Sequence, residues 1–383
     1  MRRTLMVCLP SAVLIACQPP DPDGIFNKVE VFPSDDAQAT NARYVQAIDQ
    51  AAETLHIALP AGDDPDVGDA IVRAWDRGVQ VEVITDIDIE DSPAVTALLD
   101  AGVPTTLADD GVAYFDFNIN QEVSFPSEDC VMSHSFVVAD EATIVTGTSW
   151  GGIDGGDPQR DVVYLMRGED LVHDILLEHN QIFGGTDATT TTAYDANAKS
   201  ITDFRWMYRT TTGIDLELWF GPQERLTKRV IDAIYGARTS VRVLSGDFFN
   251  EGAALALQDK AKWGIPVDFV VDDSFDTAIA DNAQLIEDTP DVTWHRLPYD
   301  DPPTIVLIDY QPDEDDYRSR TKAIVLTHGL VSGPRLFRRQ PVVSDQLIDG
   351  TLWVLGTSGP ELGPEFLQLL QVFDDHFEEA EEL

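Results

Sequence analysis

The sequence is poor in cysteine and in basic residues, and it lacks a long apolar run. Three of its 383 residues are cysteine. Cys8 and Cys17 lie in an N-terminal segment that, as argued below, we expect to be cleaved before Cys17 and acylated on it. Cys130 then has no partner for an intramolecular disulfide. No apolar run reaches the roughly 20 residues that a membrane-spanning helix needs. Lys and Arg total 25 against 68 Asp and Glu, a formal net charge of −43. The negative electrostatic potential of such a chain repels phosphate groups, so we do not expect nucleic acid as a partner.

Common catalytic and metal-binding signatures are also absent. The chain contains neither the Gly-x-Ser-x-Gly elbow of serine hydrolases nor the His-Glu-x-x-His helix of zinc proteases. Its Cys and His positions show no zinc-ligand spacing. Two Asp-rich stretches, 62–66 and 313–316, lack the ligand spacing of an EF-hand loop. The sequence therefore predicts no metal and no cofactor.

The N-terminus has the features of a targeting segment. Arg2 and Arg3 precede a short apolar run from Leu5 to Ala16. The tetrapeptide Leu14-Ile15-Ala16-Cys17 resembles a bacterial lipobox, in which cleavage before the cysteine is followed by acylation of its thiol. A plain secretory signal with an incidental cysteine is the alternative.

The lipobox resemblance implies a membrane anchor. Residues 1–16 are then a signal peptide, Cys17 is the lipidation site, and residues 17–27 form a Pro- and Asp-containing tether. Gln18 is not the aspartate that favours retention at the inner membrane, so we expect the outer membrane of the cell envelope. The membrane, reached through this lipid anchor, is the one partner that the sequence predicts.

The rest of the chain alternates strands with helices and does so twice. In each half a strand is followed by a helix, a glycine and an apolar strand that ends in aspartate, which predicts an α/β fold built from a duplicated unit. We expect the first unit at 28–183, a linker at 184–213 and the second unit at 214–383. Asp86 and Asp273 close the equivalent strands, where α/β proteins often bind ligands.

One stretch of the first unit resembles the active-site strand of the phospholipase D superfamily. That family carries His-x-Lys-x4-Asp, followed after six residues by Gly-Ser/Thr and later by Asn. Asp140 and the pair Gly147-Thr148 match this pattern. The His and Lys positions instead hold Ser133 and Ser135, and Trp150 takes the Asn position.

The second unit offers two alignments with the same motif. The preferred one places Pro302 at the His position, Thr304 at the Lys position and Asp309 at the Asp position. The other uses Arg320, Lys322 and Thr327, which keeps a lysine but leaves a long gap before the next Gly-Thr pair. Both alignments lack the full motif.

The resemblance implies a fold and a mechanism. The fold is a pair of α/β/α units, with mixed sheets flanked by helices and related by a pseudo-twofold axis. In the family one His attacks phosphorus and the other protonates the leaving alcohol. The lysines hold the phosphate, and each Asp orients its His. His134 and His328 are outside candidates for the missing histidines. Because neighbouring strand residues face opposite ways, His134 points away from the Ser133 and Ser135 side.

Three functions follow from these observations. The first is a cell-envelope lipoprotein that has lost phosphodiesterase activity and serves as a binding or structural module, with a protein or small-molecule partner of unknown identity. The second is an active phosphodiesterase or phosphatidyltransferase with an altered residue set. The third is an unrelated two-lobed α/β lipoprotein that binds a ligand between its lobes. The loss of His and Lys in both halves favours the first.

Overall fold

A computed structural model provides the structure of the chain. It describes residues 27–34, 37–108, 113–116, 121–124, 131–147, 150–151, 162–183, 197–199, 208–210, 214–221, 224, 226–246, 251–271, 289–290, 292–298, 302–310, 321–327, 348–349, 351–357 and 364–382. The predicted signal peptide with Cys17, and also Cys130, Thr148, Asp273, Arg320 and His328, lie outside these ranges.

The first half contains four described helices around a seven-stranded sheet. Its sheet strands are β1 (Lys28–Pro33), β2 (Thr54–Leu59), β3 (Gln80–Asp86), β4 (Thr105–Ala108), β8 (Phe136–Ala139), β9 (Thr143–Gly147) and β10 (Val162–Arg167). The helices are α1 (Ala37–Gln50), α2 (Pro65–Asp76), α3 (Pro93–Ala101) and α4 (Glu169–Phe183), and a 3-10 turn spans Ile87–Ile89.

The second half contains a nine-stranded sheet and three described helices. Its strands are β12 (Tyr208–Arg209), β13 (Ile214–Phe220), β14 (Val241–Ser245), β15 (Val267–Val271), β16 (Val292–Arg296), β17 (Thr304–Ile308), β18 (Lys322–Leu326), β20 (Thr351–Thr357) and β21 (Glu381–Glu382). Its helices are α5 (Leu226–Gly236), α6 (Glu251–Lys262) and α7 (Pro364–Glu379).

Two small sheets complete the described strands. One joins β5 (Ala113–Asp116), β6 (Gln121–Ser124) and β11 (Asn197–Lys199). The other pairs β7 (Val131–Met132) with β19 (Ile348–Asp349), so it links the two halves directly.

The two large sheets have the same strand order. The first runs β1-β10-β9-β8-β2-β3-β4, and the second contains β13-β20-β18-β17-β14-β15-β16 between the extra edge strands β12 and β21. In the first sheet β2–β3 and β3–β4 are parallel, and in the second sheet β14–β15 and β15–β16 are parallel. The other neighbouring pairs in these two seven-strand orders are antiparallel. The fold is therefore a duplicated α/β unit with mixed sheets and flanking helices, as the sequence predicts.

Helix boundaries follow from local capping. The Asp64 carboxylate accepts a hydrogen bond from the Asp66 backbone N–H at 2.9 Å, and Pro65 occupies the first turn of α2. Gly78 follows α2 with φ +85°, and Gly264 follows α6 with φ +78°. Glycine is favoured at both places because this left-handed conformation strains other residues. These two glycines are the helix-ending signals on which the predicted repeat depends.

The two halves share one apolar interior. Helices α1, α2 and α3 cover the outer face of the first sheet, and α5 and α6 cover that of the second. Between the sheets lies a common core to which both halves contribute, with α4 and α7 inside it. Its members include Ala58, Phe136, Leu244, Ile305 and Phe373. A shared core of this kind differs from two lobes that move about hinge strands, the arrangement that the third functional interpretation expects.

None of the helices in the described ranges combines the length and the apolar character needed to cross a lipid bilayer.

Candidate functional site

The degenerate motif of the first half lies on a central strand. β8 pairs with β2 on one side and with β9 on the other, and partly exposed Ser133 precedes it. Ser135 is fully buried, and its hydroxyl lies 3.4 Å from the Tyr44 hydroxyl of α1. The side chain at the Lys position therefore faces the outer helix layer.

Two aromatic rings occupy the space beside Ser135. Trp150 is buried, stacks on Tyr44 with ring centroids 4.3 Å apart, and donates its indole N–H to the Ala58 carbonyl at 3.0 Å. A Cβ at Gly147 would lie 2.7 Å from the Tyr44 hydroxyl, so only glycine fits there. The kept glycine of the motif thus accommodates Tyr44.

Hydrogen bonds hold Trp150 in this position. The Gly151 backbone N–H donates to the Asn41 amide oxygen at 2.8 Å, and the Asn41 amide donates to the Asp64 carboxylate at 2.7 Å. The Asp64 backbone N–H donates to the Gly151 carbonyl at 2.9 Å, which closes a ring of three bonds. Such a closed network orients the segment and keeps the indole in place.

The second half presents a similar arrangement, and its motif positions hold neither a histidine nor a lysine. β17 takes the place of β8, so Thr304 is the counterpart of Ser135, and its hydroxyl lies 3.3 Å from that of Ser245. Pro302 is buried just before this strand. Lys322 opens β18, the counterpart of β9, and binds Glu217 at 3.2 Å. Strand order thus follows the alignment through Thr304 and Asp309, and it places Lys322 on the neighbouring strand.

The two motif aspartates have equivalent surroundings. Asp140 and Asp309 both have positive φ, 53° and 55°. An Asp140 carboxylate oxygen accepts from the backbone N–H groups of Ala52, Glu53 and Thr54 at 2.7–3.1 Å. Asp309 accepts in the same way from two backbone N–H groups, those of Arg238 at 2.6 Å and Thr239 at 2.8 Å.

This placement corrects the role that the resemblance implies for the aspartates. Both carboxylates lie at the opposite ends of their strands from Ser133 and Pro302, where they bind the chain that leads into β2 and β14. Charge-assisted bonds to several backbone donors stabilise a turn. The hydrogen bonds of Asp140 and Asp309 therefore do not depend on the residues at positions 133 and 302.

His134 lies on the opposite face of the sheet from Ser135, at the junction of the halves. Its side chain is fully buried, with Nδ1 2.7 Å from the Thr351 hydroxyl and Nε2 3.4 Å from a Glu178 carboxylate oxygen. The Phe136 and Phe220 rings lie 6.0 Å from it. The predicted orientation of His134 agrees with this geometry. Burial between the halves keeps the imidazole away from any substrate in bulk solvent.

Acidic side chains lie beside His134 in the shared interior. Glu178, Asp174 and Glu224 are all buried. Removal from water, together with the nearby charges of Glu178 and Asp174, raises the pKa of Glu224 to about 8, although its carboxylate accepts the Phe220 backbone N–H at 2.7 Å. An acid-rich interior of this kind does not attract a phosphate.

Basic side chains are rare in the interior. Among the buried residues of the described ranges, the one Lys or Arg is Lys260. Its ammonium donates to the carbonyls of Tyr235 and Ala237, both at 2.6 Å, in the outer helix layer of the second half. Lys260 therefore binds the free carbonyl groups at the end of α5, and its charge also interacts with that of Asp309.

Asp86 ends β3 as predicted, but it has local partners. Its two carboxylate oxygens accept from the Asp88 and Met132 backbone N–H groups, both at 2.8 Å. Burial raises the pKa of this carboxyl. The aspartate caps the 3-10 turn and holds the chain that enters β8.

One potential metal-binding group was missed by the sequence analysis. His56 of β2, Glu82 of β3 and His179 of α4 each place one ligand atom within 4.8 Å of the other two. Their separation along the chain hides them from any spacing rule. The strand pattern does contain a sign of this group. His56 and Glu82 occupy positions that face the shared interior, where apolar residues are expected.

Comparisons with known proteins agree with this architecture. Residues 44–179 match the family described as "Cardiolipin synthase, PLD-like domain". No curated protein sequence is significantly similar to the chain.

Solved structures extend the similarity to both halves. Phosphatidylserine synthase of Haemophilus influenzae Rd KW20 superimposes with a TM-score of 0.63 at 10% identity, over 92% of this chain and 87% of that one. Polyphosphate kinase of Porphyromonas gingivalis gives a TM-score of 0.57 at 10% identity, over 92% of this chain and 47% of the kinase. The chain thus spans about half the length of that kinase.

Proposed function

We propose that this chain, which contains a phospholipase D-like domain at residues 44–179 and has the duplicated phospholipase D-like fold, no longer hydrolyses phosphodiesters and serves as a binding or structural module. The observation that carries the proposal is the residue set at the four essential positions: Ser133, Ser135, Pro302 and Thr304. Phosphodiester cleavage needs a nucleophile, a proton donor and cations for the developing charge. These four side chains supply no base, no proton donor of suitable pKa and no cation.

Packing and charge support the same conclusion. Trp150 and Tyr44 fill the space beside Ser135 with stacked rings. The shared interior holds the carboxyl groups of Asp174, Glu178 and Glu224. A phosphate group entering beside these carboxyl groups would meet negative charge, and the buried Lys260 lies in the outer helix layer of the second half. Phosphatidylserine synthase and polyphosphate kinase are enzymes by name, but enzymatic activity does not follow from a shared fold.

Phosphodiesterase assays test the proposal. We expect the purified full chain to release choline from phosphatidylcholine vesicles, and p-nitrophenol from bis(p-nitrophenyl) phosphate, no faster than buffer alone. A cooperative thermal transition in the same sample shows that the protein is folded. His134→Gln is assayed beside the wild type, because His134 lies between the motif positions Ser133 and Ser135. Turnover above buffer contradicts the proposal, and its loss in His134→Gln would identify the altered catalytic group.

We further propose that the module is anchored in the cell envelope, at the outer membrane, through a lipid on Cys17. The lipobox-like sequence Leu14-Ile15-Ala16-Cys17 supports this location. We expect the full chain, expressed in a bacterial host with its own leader, to incorporate labelled palmitate and to enter the detergent phase on Triton X-114 separation.

The cysteine variants separate an anchor from an incidental residue. Cys17→Ser is expected to lose the label and to move to the aqueous phase, whereas Cys130→Ser is expected to behave as the wild type. An unlabelled, aqueous wild-type protein would favour the plain secretory signal. Label that persists in Cys17→Ser would exclude Cys17 as the acylated residue.

A further inference from the structure

We propose that His56, Glu82 and His179 form a binding site for a divalent transition-metal ion of the Zn²⁺ class. The site lies between the first sheet and α4, on the sheet face opposite Ser135. His56 pairs with Val138 in the β2–β8 register. Val138 follows Ser135 by three residues, so His56 and Ser135 are about 10 Å apart along the strand direction, at about 3.3 Å per residue. The group is thus separate from the degenerate motif and independent of the function proposed above.

The two strand residues are brought together by sheet register. His56 and Glu82 are direct partners in the parallel β2–β3 pair, with His56 Nδ1 3.1 Å from a Glu82 carboxylate oxygen. The hydrogen bond from His56 is the largest influence on Glu82 and lowers the pKa of that carboxyl. One imidazole and one carboxylate are therefore in place on the sheet.

His179 approaches this pair from α4. Its ring lies edge-on to His56, with centroids 5.1 Å apart, and its side chain has no exposed surface. Neither ring nitrogen makes a hydrogen bond of normal geometry, although the Asn180 side chain and the Glu82 backbone lie nearby. Burial of two unsatisfied nitrogens is costly, and a bound cation is one way to offset that cost.

The duplicated fold offers an internal comparison. At the equivalent places of the second half, Arg242 of β14 pairs with Asp268 of β15 in the same register. The Arg242 guanidinium binds the Asp268 carboxylate at 3.2 Å and that of Asp374, on α7, at 3.1 Å. There the chain itself supplies the cation between sheet and covering helix. In the first half the same location holds two imidazoles and a carboxylate, and a metal ion would take the place of the guanidinium.

The donor set selects the class of metal. Two imidazole nitrogens and one carboxylate suit Zn²⁺ and its first-row neighbours, whereas Mg²⁺ and Ca²⁺ need six or more oxygen ligands. Tetrahedral zinc places its ligand atoms about 3.3 Å apart, given bonds of about 2.0 Å. The three ligand atoms lie within 4.8 Å of one another, so they would have to move closer together by up to about 1.5 Å when the ion binds. His56 and Glu82 are 8% and 9% exposed, whereas His179 is fully buried.

Zinc binding by the full chain tests the proposal. After treatment with EDTA and incubation with Zn²⁺, we expect one tightly held equivalent by elemental mass spectrometry in the presence of millimolar Mg²⁺. The excess Mg²⁺ occupies weak sites on the acidic surface. Co²⁺ in place of Zn²⁺ is expected to give the intense visible bands of a four-coordinate nitrogen and oxygen site.

Three variants distinguish a metal site from a buried side-chain cluster. His179→Phe keeps an aromatic ring in the apolar contact with Phe183 and Phe136, so the fold is retained. We expect it to weaken Zn²⁺ binding by ~100-fold or more, since losing even an outer-shell partner costs 10- to 100-fold. Glu82→Gln is expected to act in the same direction. His173→Gln, an exposed histidine on the same helix, is expected to bind Zn²⁺ as the wild type does.

Two results would overturn the proposal. One is a wild-type protein that retains less than about a tenth of an equivalent of zinc under these conditions. The other is tight binding that persists in folded His179→Phe, which would place the metal elsewhere on the chain. Neither result bears on the phosphodiesterase assay, so this proposal and the proposed loss of activity fail independently.

Discussion

Trp150→Ala is expected to lower the free energy of unfolding by about 3–5 kcal/mol, the usual cost of deleting a large buried aromatic side chain. Trp150 is 1% exposed, stacks on Tyr44 and donates to the Ala58 carbonyl. Alanine would leave a cavity in the core of the first half and an unpaired carbonyl. Urea unfolding followed by circular dichroism measures the change as a lower midpoint at an unchanged slope.

Two variants control for this measurement. Trp150→Phe keeps the stacking on Tyr44 and removes the indole donor, so a loss of only about 1–2 kcal/mol is expected. Trp263→Ala removes a tryptophan that is 64% exposed and is expected to cost less than about 1 kcal/mol. Equal midpoints for Trp150→Ala and Trp263→Ala would mean that Trp150 does not fill the space beside Ser135.

The stability of the chain is expected to fall as the pH rises towards 8, and Glu224→Gln is expected to remove much of that fall. The pKa of Glu224 is raised from 4.5 in the unfolded chain to about 8 in the fold. Between these values the folded state holds a proton that the unfolded state has lost, so each pH unit costs about 1.4 kcal/mol. The whole window amounts to as much as ~5 kcal/mol.

His179 acts with the opposite sign and in a lower window. Its pKa falls from 6.5 to about 3 in the fold, so the unfolded chain takes up a proton first as the pH drops below 6.5. The stability that depends on neutral His179 is present above pH 6.5 and is lost progressively below it. The range from pH 7 to 8 therefore separates the contribution of Glu224 from that of His179.

Paired denaturation curves at pH 7 and pH 8 measure the Glu224 effect. Exposed Glu90→Gln serves as the control and is expected to follow the wild type. Glu224→Gln is expected to gain stability relative to the wild type as the pH rises, because the amide cannot ionise. Parallel curves for Glu224→Gln and wild type would contradict the prediction.

The order of elements could be predicted from the sequence because it rests on local signals. Helix-ending glycines, such as Gly78 and Gly264, require a backbone conformation that other residues disfavour. Apolar alternation then marks the strands, and repetition of the whole order reveals the duplication. The residue at which each helix begins or ends is harder to predict, because helix ends depend on side-chain contacts beyond the apolar pattern.

The chemical groups at the motif positions were also evident from the sequence. The sequence alone gives the residue at each of these positions: serine at 133 and 135, proline at 302 and threonine at 304. What surrounds them depends on tertiary contacts. Tyr44 and Trp150 are 106 residues apart in the chain, and only the docking of α1 on the sheet brings their rings together.

The sequence by itself therefore determined the duplicated α/β plan, the acidity of the chain and the loss of His and Lys from both motif copies. Only the tertiary structure decided that the motif aspartates bind turns, that His134 is enclosed between the halves, and that His56, Glu82 and His179 converge. Local patterns depend on neighbours within a few residues, whereas convergence depends on strand register and on helices packed across the sheet, which no spacing along the chain encodes.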